Sequence, residues 1–422
     1  MALPLSYQVA SIKRHADILA RADATLEASI PGFGKTYVAG FLAAYLRRRV
    51  AVVCPKSVRP AWERAMRECG VEAVFITNYE QTKLAKFSFG RWQVKGRVYE
   101  WKVPADTLIV FDEAHRCADR TTQNAKLMIA AARQKLKTLV MSATIAQSPL
   151  EMYSLGLLLG LHVGGDFFGW CFRHGVYKGR FAFEFDGTPA SLRKLNALVF
   201  PAHGYRASFA DIPDFPSEKV ETLGVDVANP SQIDDLWAKV QELELLKADA
   251  TEPITLRLRA RQQSELLKVP AFTELIKDSV AEGQSVCVFV NFIATLELLA
   301  AAFPKAEIIR GGQTADARQL GVDNFQADKS RVMIAQSQAG GVGISLHDLH
   351  GNFPRRSLIS PPESARSLIQ ILGRIRRTGG KSLALQTLVF AQNTVEVKVQ
   401  RAVERRKGQI DMINDGDLDP NT

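Results

Sequence analysis

The chain has 422 residues, 46% hydrophobic and 23% charged, with 54 Lys and Arg against 44 Asp and Glu for a formal net charge of +10. That length exceeds one comfortable core and calls for two or three domains, and the composition excludes a disordered or fibrous chain. The basic balance favours a polyanionic partner. Five scattered cysteines, Cys54, Cys69, Cys117, Cys171 and Cys287, lack metal-ligand or redox spacing, which reads as free thiols in a reducing compartment. The N-terminus shows no leader pattern. The most apolar window, Val286 to Phe303, is broken by Asn291, Thr295 and Glu297, so no membrane span or membrane partner is expected.

Residues 1 to 23 read as an amphipathic helix, with Val9, Ile12, Ile18 and Leu19 at helical spacing. Gln8 at its start is either a reader of an adenine edge or a surface glutamine. A short strand, Ala24 to Ala28, leads into Ser29-Ile30-Pro31-Gly32-Phe33-Gly34-Lys35-Thr36, and a helical pattern, Tyr37 to Leu46, leads out. Strand, glycine-containing turn and helix N-terminus together make a phosphate-binding loop, because backbone N–H groups and the helix field both favour anions. Lys35 would then reach the β- and γ-phosphates of a nucleotide and the Thr36 hydroxyl would hold Mg²⁺. Ser29 stands where the full pattern begins with Gly.

Val50 to Pro55 is a continuous apolar run, the pattern of a buried parallel strand, with Lys56-Ser57-Val58 at its carboxyl end. A helix around Trp62 to Cys69 and a strand from Ala73 to Ile76 follow, the latter ending in Thr77-Asn78-Tyr79-Glu80. Residues 84 to 102 mix Phe87, Phe89, Trp92 and Trp101 with lysines and arginines. They read as a solvated hairpin with some buried aromatics, or as an excursion near a nucleic-acid strand. The strand Leu108 to Phe111 then delivers Asp112 and Glu113 at its carboxyl end, where open α/β sheets bind ligands. Asp112 suits Mg²⁺, and Glu113 suits polarising an attacking water. Thr138 to Met141 ends in Ser142-Ala143-Thr144, hydroxyls placed to relay the nucleotide state to a bound strand.

Residues 1–155 therefore form one α/β domain with a parallel sheet. Residues 156–268 read as a mainly helical connector. It holds an aromatic and glycine-rich stretch to Phe215 and then two helical stripes, Leu236, Val240, Leu243 and Leu246, and Leu256 to Leu267. Strand and helix alternate again over 269–410. Val286 to Val290 leads to Asn291-Phe292, Ala306 to Arg310 to Gly311-Gly312, and Arg331 to Ala335 to Gln336-Ser337-Gln338 and Gly340-Gly341-Val342-Gly343. Ser357 to Ser360 and Leu383 to Phe390 complete the strands, and a helix between them carries Gln370, Arg374, Arg376 and Arg377. A basic helix, Thr394 to Gln409, precedes an acidic tail at 411–422.

A phosphate loop, Asp112-Glu113-Ala114-His115, Ser142-Ala143-Thr144 and Gln370-Ile371-Leu372-Gly373-Arg374-Ile375-Arg376-Arg377 come in the order of the superfamily-two helicases. The chain resembles that superfamily over nearly its whole length. Within it, Pro55-Lys56-Ser57-Val58 with Trp62, Asn78-Tyr79-Glu80, Ser142 to Glu151 and Ala339 to Leu346 look like the Swi/Snf-like group, in a compact bacterial or phage form. The resemblance implies two tandem RecA-like domains that use ATP and Mg²⁺. Lys35, Asp112, Glu113, Arg374 and Arg377 would be catalytic, the two arginines lying on one helix face and reaching the γ-phosphate from the second domain. Gln8, Pro31, Gly32, Phe33, Gly34, Thr36, Gly341, Gly343 and Gln370 would line the nucleotide. Pro55, Lys56, Ser57, Asn78, Tyr79, Asn291, Phe292, Gly311, Gly312, Ser337 and Gln338 would grip nucleic acid, Arg376 remaining open to the same use, and Ser142 and Thr144 would couple the two sites. The activity implied is that of a monomeric ATP-dependent DNA translocase or helicase in the cytoplasm of a bacterial or phage-infected cell. DNA is preferred over RNA on subgroup resemblance alone; an RNA helicase and a non-catalytic nucleic-acid scaffold are the alternatives.

Overall fold

Apolar runs with no alternation must be covered on both faces, and in this chain they become the central strands of two parallel sheets. The computed structural model describes residues 2–411 apart from 85, 94–97, 181, 229–230, 232–234, 237, 240–241, 243–250, 341–343, 363, 393, 395, 398–400, 402–403, 406 and 409. They divide into a first unit, Met1–Pro213 with the chain from Gly408 on, and a second, Asp214–Lys407. The expected Leu236 stripe, the helix at Thr394 to Gln409 and the acidic tail lie wholly or partly outside the described residues.

In the first unit the strands are β1 (Ala24–Glu27), β2 (Arg49–Cys54), β3 (Ala73–Asn78), β4 (Gly90–Gln93), β5 (Val98–Trp101), β6 (Thr107–Asp112), β7 (Thr138–Met141), β8 (Val176–Lys178), β9 (Phe183–Phe185) and β10 (Gly204–Tyr205). The main sheet runs β10-β1-β7-β6-β2-β3 with every pair parallel. Its helices are α1 (Ser6–Arg21), α2 (Lys35–Tyr45), α3 (Arg59–Cys69), α4 (Gln123–Arg133), α5 (Tyr153–Leu159), α6 (Phe167–Arg173) and α7 (Pro189–Val199). Within the aromatic stretch at 84–102, β4 and β5 pair antiparallel, with Tyr99 and Trp101 buried.

The connector expected at 156–268 is divided between the units. Its first part belongs to the first: Leu158, Trp170, Leu192 and Leu195 pack into one core with Phe111, Met128 and Val140. The segment also adds β10 beside β1, pairing Leu26 with Gly204 and Glu27 with Tyr205. A side chain at Gly204 would meet the Leu26 carbonyl oxygen at 2.7 Å, so only glycine lets this strand close on β1.

The second unit holds β11 (Glu218–Val225), β12 (Ser285–Val290), β13 (Glu307–Ile309), β14 (Val332–Gln336), β15 (Arg355–Ile359) and β16 (Ala384–Ala391), with helices α8 (Thr251–Leu267), α9 (Val269–Ala281), α10 (Ile293–Ala302), α11 (Ala315–Gln326) and α12 (Ala365–Leu372). Its sheet, β11-β16-β15-β12-β14-β13, is also all parallel. The edge strand β11 and helix α8 come from the expected connector. Lys268 anchors the junction: its buried ammonium donates to both oxygens of Glu396 at 2.7 and 2.8 Å and to the Val389 carbonyl at 3.0 Å. Among the described residues no helix is long and apolar enough to cross a membrane.

Candidate nucleotide site

The turn between β1 and α2 is shaped by two glycines in the left-handed region, Gly32 at φ 88° and Gly34 at φ 84°. A Cβ at Gly34 would also meet Gln8 Nε2 at 2.5 Å. Gln8 is buried against this turn; its Oε1 accepts from the Leu5 N–H at 3.0 Å and its Nε2 donates to the Phe33 carbonyl at 3.1 Å. It is thus no surface glutamine but a brace of the loop. Lys35 opens α2, and its ammonium donates to the carbonyls of Ser29 at 2.7 Å and Ile30 at 3.0 Å. Burial lowers its pKa to about 8, while Glu27, Glu113 and Asp112 pull it upward. Ser29, the departure from glycine, has a local use. Its hydroxyl accepts from the Ala207 N–H at 2.9 Å and its own N–H donates to Glu27 at 2.8 Å, tying the loop to the segment after β10.

Glu27 was not singled out by sequence. It sits fully buried at the end of β1 and accepts from the Ser11 hydroxyl at 2.5 Å, with His15 Nε2 at 3.0 Å; His15 Nδ1 in turn lies 2.8 Å from the Thr25 hydroxyl. Burial works to raise the Glu27 pKa, but the bonds from His15, Ser11 and Ser29 outweigh it and hold the group below its ordinary value. The signal was available. Gln8, Ser11 and His15 fall at helical spacing on one face of α1, the face that packs on the loop.

Asp112 ends β6 at the carboxyl edge of the same sheet. Trp62 of α3 donates its indole N–H to Oδ2 at 2.8 Å, the Glu113 N–H donates to Oδ1 at 2.9 Å, and the Tyr79 hydroxyl donates to the Asp112 carbonyl at 2.8 Å. Burial raises the Asp112 pKa, the Glu113 carboxylate adds to that, and the Trp62 N–H and Lys35 oppose it. Glu113 adopts a left-handed backbone, φ 51°, which turns its side chain off the strand line. Its carboxylate lies 3.3 Å from His115 Nδ1, which lies 3.5 Å from the Ser142 hydroxyl. That hydroxyl donates to the Thr144 carbonyl at 2.9 Å and accepts from its N–H at 3.2 Å. Glu113 is therefore linked through His115 to the end of β7. Thr36 and Asp112 offer the hard oxygen ligands Mg²⁺ requires. Two protein oxygens would leave the rest of such a cation's shell to phosphate and water, which is how Mg²⁺ is commonly held.

In the second unit, Arg374 and Arg377 are not on a helix face. Gly373 ends α12, its N–H returning to Ile369 and Ile371, and both arginines lie in the turn beyond. Arg374 is buried and donates to the Gln370 carbonyl at 2.7 Å and the Ile344 carbonyl at 2.9 Å. Arg377 donates to the Gly373 carbonyl at 3.0 Å and the Ser345 hydroxyl at 2.8 Å, and burial brings its pKa down to about 10. Arg376, open to a phosphate role by sequence, donates to the Pro216 carbonyl and Glu218 and lies 5.1 Å over the Phe215 ring, which fastens β11. Gly341 and Gly343 lie outside the described residues.

Of the residues expected to grip nucleic acid, several turn inward. Tyr79 is wholly buried under Asp112. The Asn78 side-chain oxygen accepts from the N–H groups of Glu80 at 3.1 Å and Gln81 at 2.9 Å. Asn291 is held by Glu265 at 2.7 Å and the Pro361 carbonyl at 3.1 Å, and the Phe292 N–H donates to Glu265 at 2.9 Å. Pro55 and Ser337 are buried. These residues shape the edge instead of presenting polar atoms to a strand. Lys56 and Ser57 on the first unit, and Gly311, Gly312 and Gln338 on the second, are exposed at strand ends.

A parallel sheet with a lysine-bearing phosphate loop after one strand and adjacent carboxylates after another is the arrangement of a nucleotide-binding α/β domain. The family comparisons agree. Residues 3–147 match the family described as "Type III restriction enzyme, res subunit", and residues 267–379 match "Helicase conserved C-terminal domain". The chain is 32% identical over 450 residues to "Putative ATP-dependent RNA helicase L364" of Acanthamoeba polyphaga mimivirus, covering 98% of this chain and 84% of that one. Among solved structures it is similar to S. cerevisiae Dbp5 bound to RNA and ADP BeF3, at a TM-score of 0.55 and 13% identity over 94% of this chain and 87% of that chain. A Sulfolobus solfataricus SWI2/SNF2 ATPase core in complex with dsDNA aligns over 99% of this chain and 94% of that one at 17% identity, but a TM-score of 0.40 is too low to bear on the fold. The chain belongs to the superfamily-two helicases, ATP-hydrolysing enzymes, and its two parallel sheets are RecA-like domains.

Proposed function

We propose that this helicase is a DNA translocase that couples ATP hydrolysis to movement along the sugar-phosphate backbone. The observation that supports the ATP-driven reading is the placement of Lys35 after β1 and of Asp112 and Glu113 at the end of β6, at the carboxyl ends of strands in one parallel sheet, where both carboxylates, after Glu27, favour the lysine's charge. Lys35 binds the β- and γ-phosphates, and Gln8 serves the adenine edge beside the loop it braces. Thr36 and Asp112 would hold Mg²⁺, which neutralises phosphate charge when bound. Glu113 takes a proton from the water as it attacks the γ-phosphorus and the bond to ADP breaks. Arg374 and Arg377 are assigned to the γ-phosphate from the second domain, after leaving the carbonyls and hydroxyl they now bond. The Glu113–His115–Ser142–Thr144 link supports a coupling role for Ser142 and Thr144. Lys56, Ser57, Gly311, Gly312 and Gln338 are the backbone contacts, and such contacts carry no sequence preference.

DNA as the track rests on the Swi/Snf-like motif set in this chain's own residues. A second reading, RNA, is favoured by the printed name of the mimivirus relative. Steady-state ATPase assays with single-stranded DNA, duplex DNA, forked DNA and RNA decide between them. Stimulation by DNA supports the proposal; stimulation by RNA alone replaces it with the second reading; stimulation by none removes the motor.

A further inference from the structure

Away from the nucleotide site, α4 borders a cavity of about 180 Å³ lined by Arg120, Lys126 and Arg133 together with Tyr99 and Tyr153. The volume is far above the roughly 10–15 Å³ that one water needs. Lys126 and Arg133 are two turns apart on α4, and Arg120 lies just before its first turn. The cavity's lining contains no carboxylate, and none of the three cations forms an ion pair among the described residues. The neighbouring acid, Asp119, directs its carboxylate to the N–H of Thr121 at 2.9 Å and its hydroxyl at 2.7 Å, and interacts with Arg120 only through space, without an ion pair. Three like charges around one cavity repel each other unless an anion joins them. Two of the three cations also sit on aromatic rings. The Arg120 guanidinium is 5.0 Å from the Phe168 ring centre, and the Lys126 ammonium is 5.9 Å from that of Trp92. Phe168 continues into Phe183, 5.0 Å away, and Phe183 into Phe172 at 5.4 Å; the last two are exposed at 39% and 46%.

We propose that this cavity and the aromatic cluster that Arg120 joins to it form a second nucleic-acid site, in which Arg120, Lys126 and Arg133 take backbone phosphates and the Phe168–Phe183–Phe172 cluster, outside the cavity lining, meets bases. Phosphate-binding cations beside exposed aromatic faces are the composition that holds a strand without reading its sequence. The inference rests on the nucleic-acid motor reading and adds to it a contact surface apart from the strand-end residues. It gives the β4–β5 pair a use: Val98 and Tyr99 form one wall of the cavity, and Trp92 supports Lys126. The segment that carries α6, β8 and β9 supplies the aromatics.

The test is binding of a fluorescent oligonucleotide, as DNA and as RNA, to the full chain across a series of salt concentrations. Arg120→Ala/Lys126→Ala/Arg133→Ala should reduce the slope of log K against log salt by about 2 to 3, near one per cation, and weaken binding without regard to sequence. Nucleotide affinity should stay at the wild-type value. Lys13→Ala, an exposed cation on α1, is the control and should leave the slope unchanged. If the triple variant loses nucleotide affinity as well, Arg133→Ala and Arg133→Glu decide the matter, and the reversal should weaken the strand more than the truncation. Wild-type slope and affinity in these variants would overturn the site while leaving the motor intact. A Lys13 effect as large as the single cavity effects, or displacement of the strand by inorganic phosphate as readily as by unlabelled oligonucleotide, would also overturn it. Failure of the wild-type chain to bind any oligonucleotide would instead remove the motor reading itself.

Discussion

Replacing Trp62 by Phe removes one donor from Asp112 and keeps most of the ring volume. Trp62 is wholly buried, and its N–H lies 2.8 Å from the carboxylate oxygen. A bond from a neutral donor to a buried carboxylate stabilises the ionised form by about 1.5–3 kcal/mol, which is about 1–2 pK units at 1.36 kcal/mol each. Asp112 already titrates above its ordinary value because of burial and Glu113, so the loss moves it further up. The sign follows. A carboxyl raised in the folded state keeps its proton longer than in the unfolded chain. Its protonated form is therefore favoured by folding, and stability is lost as pH rises through the folded pKa. Phe at position 62 should accordingly destabilise the protein more at pH 8 than at pH 5, whereas any packing loss is the same at both. The acid limb of kcat/KM for ATP should move upward by about 1–2 pH units, since ionised Asp112 is the assigned metal ligand. Thermal melts at the two pH values and a pH–rate profile check both. An equal loss of Tm at pH 5 and pH 8 with an unmoved acid limb would refute the role given to the indole.

Three further outcomes are expected. Lys35→Ala should abolish hydrolysis and weaken ATP binding, measured by ATPase rate and nucleotide fluorescence, because it removes the charge assigned to the β- and γ-phosphates. Glu113→Gln should bind ATP and nucleic acid normally and stop turnover; loss of nucleotide binding would move Glu113 to a structural or metal role. Lys268→Ala should cost about 3–5 kcal/mol in denaturant unfolding by stranding the Glu396 charge, and Lys268→Met with Glu396→Leu should recover much of that.

The parallel strands were legible because burial on both faces demands uninterrupted apolar residues, as in Val50 to Cys54 and Val286 to Val290. Lys35, Thr36, Asp112 and Glu113 could be singled out because the chemistry assigned to them needs those types at a helix N-terminus after a strand, or at a strand's carboxyl end. The edge strands were not. Two residues, Gly204 and Tyr205, carry no periodicity, and Glu218 to Val225 mixes charged and small residues because it lies at a sheet edge. Both were therefore assigned to a connector, and the division at Pro213 and Asp214 was missed. Supporting contacts were hidden for another reason. Trp62 and Tyr79 reach Asp112 across 50 and 33 residues of sequence, and no local pattern marks such a pair. The same inward turn changes the reading of Asn78, Tyr79 and Asn291 from strand contacts to parts of the scaffold. Arg374 and Arg377 were placed on a helix because the stretch from Gln370 through the arginines was read as one helix, whereas it ends at Leu372 with Gly373 as its cap.

Steady-state ATPase of wild type and Arg377→Ala, each with and without DNA, tests the central claim most directly. Lys35, Thr36 and Asp112 belong to the first domain and are assigned the ground-state binding of the nucleotide, so ATP affinity should stay within a few-fold of wild type. Arg377 is assigned to the transition state alone, so kcat should fall by about 10³-fold and DNA stimulation should vanish with it. DNA-stimulated turnover at the wild-type rate in Arg377→Ala, with DNA affinity lost instead, would contradict the account and make the arginine a backbone contact.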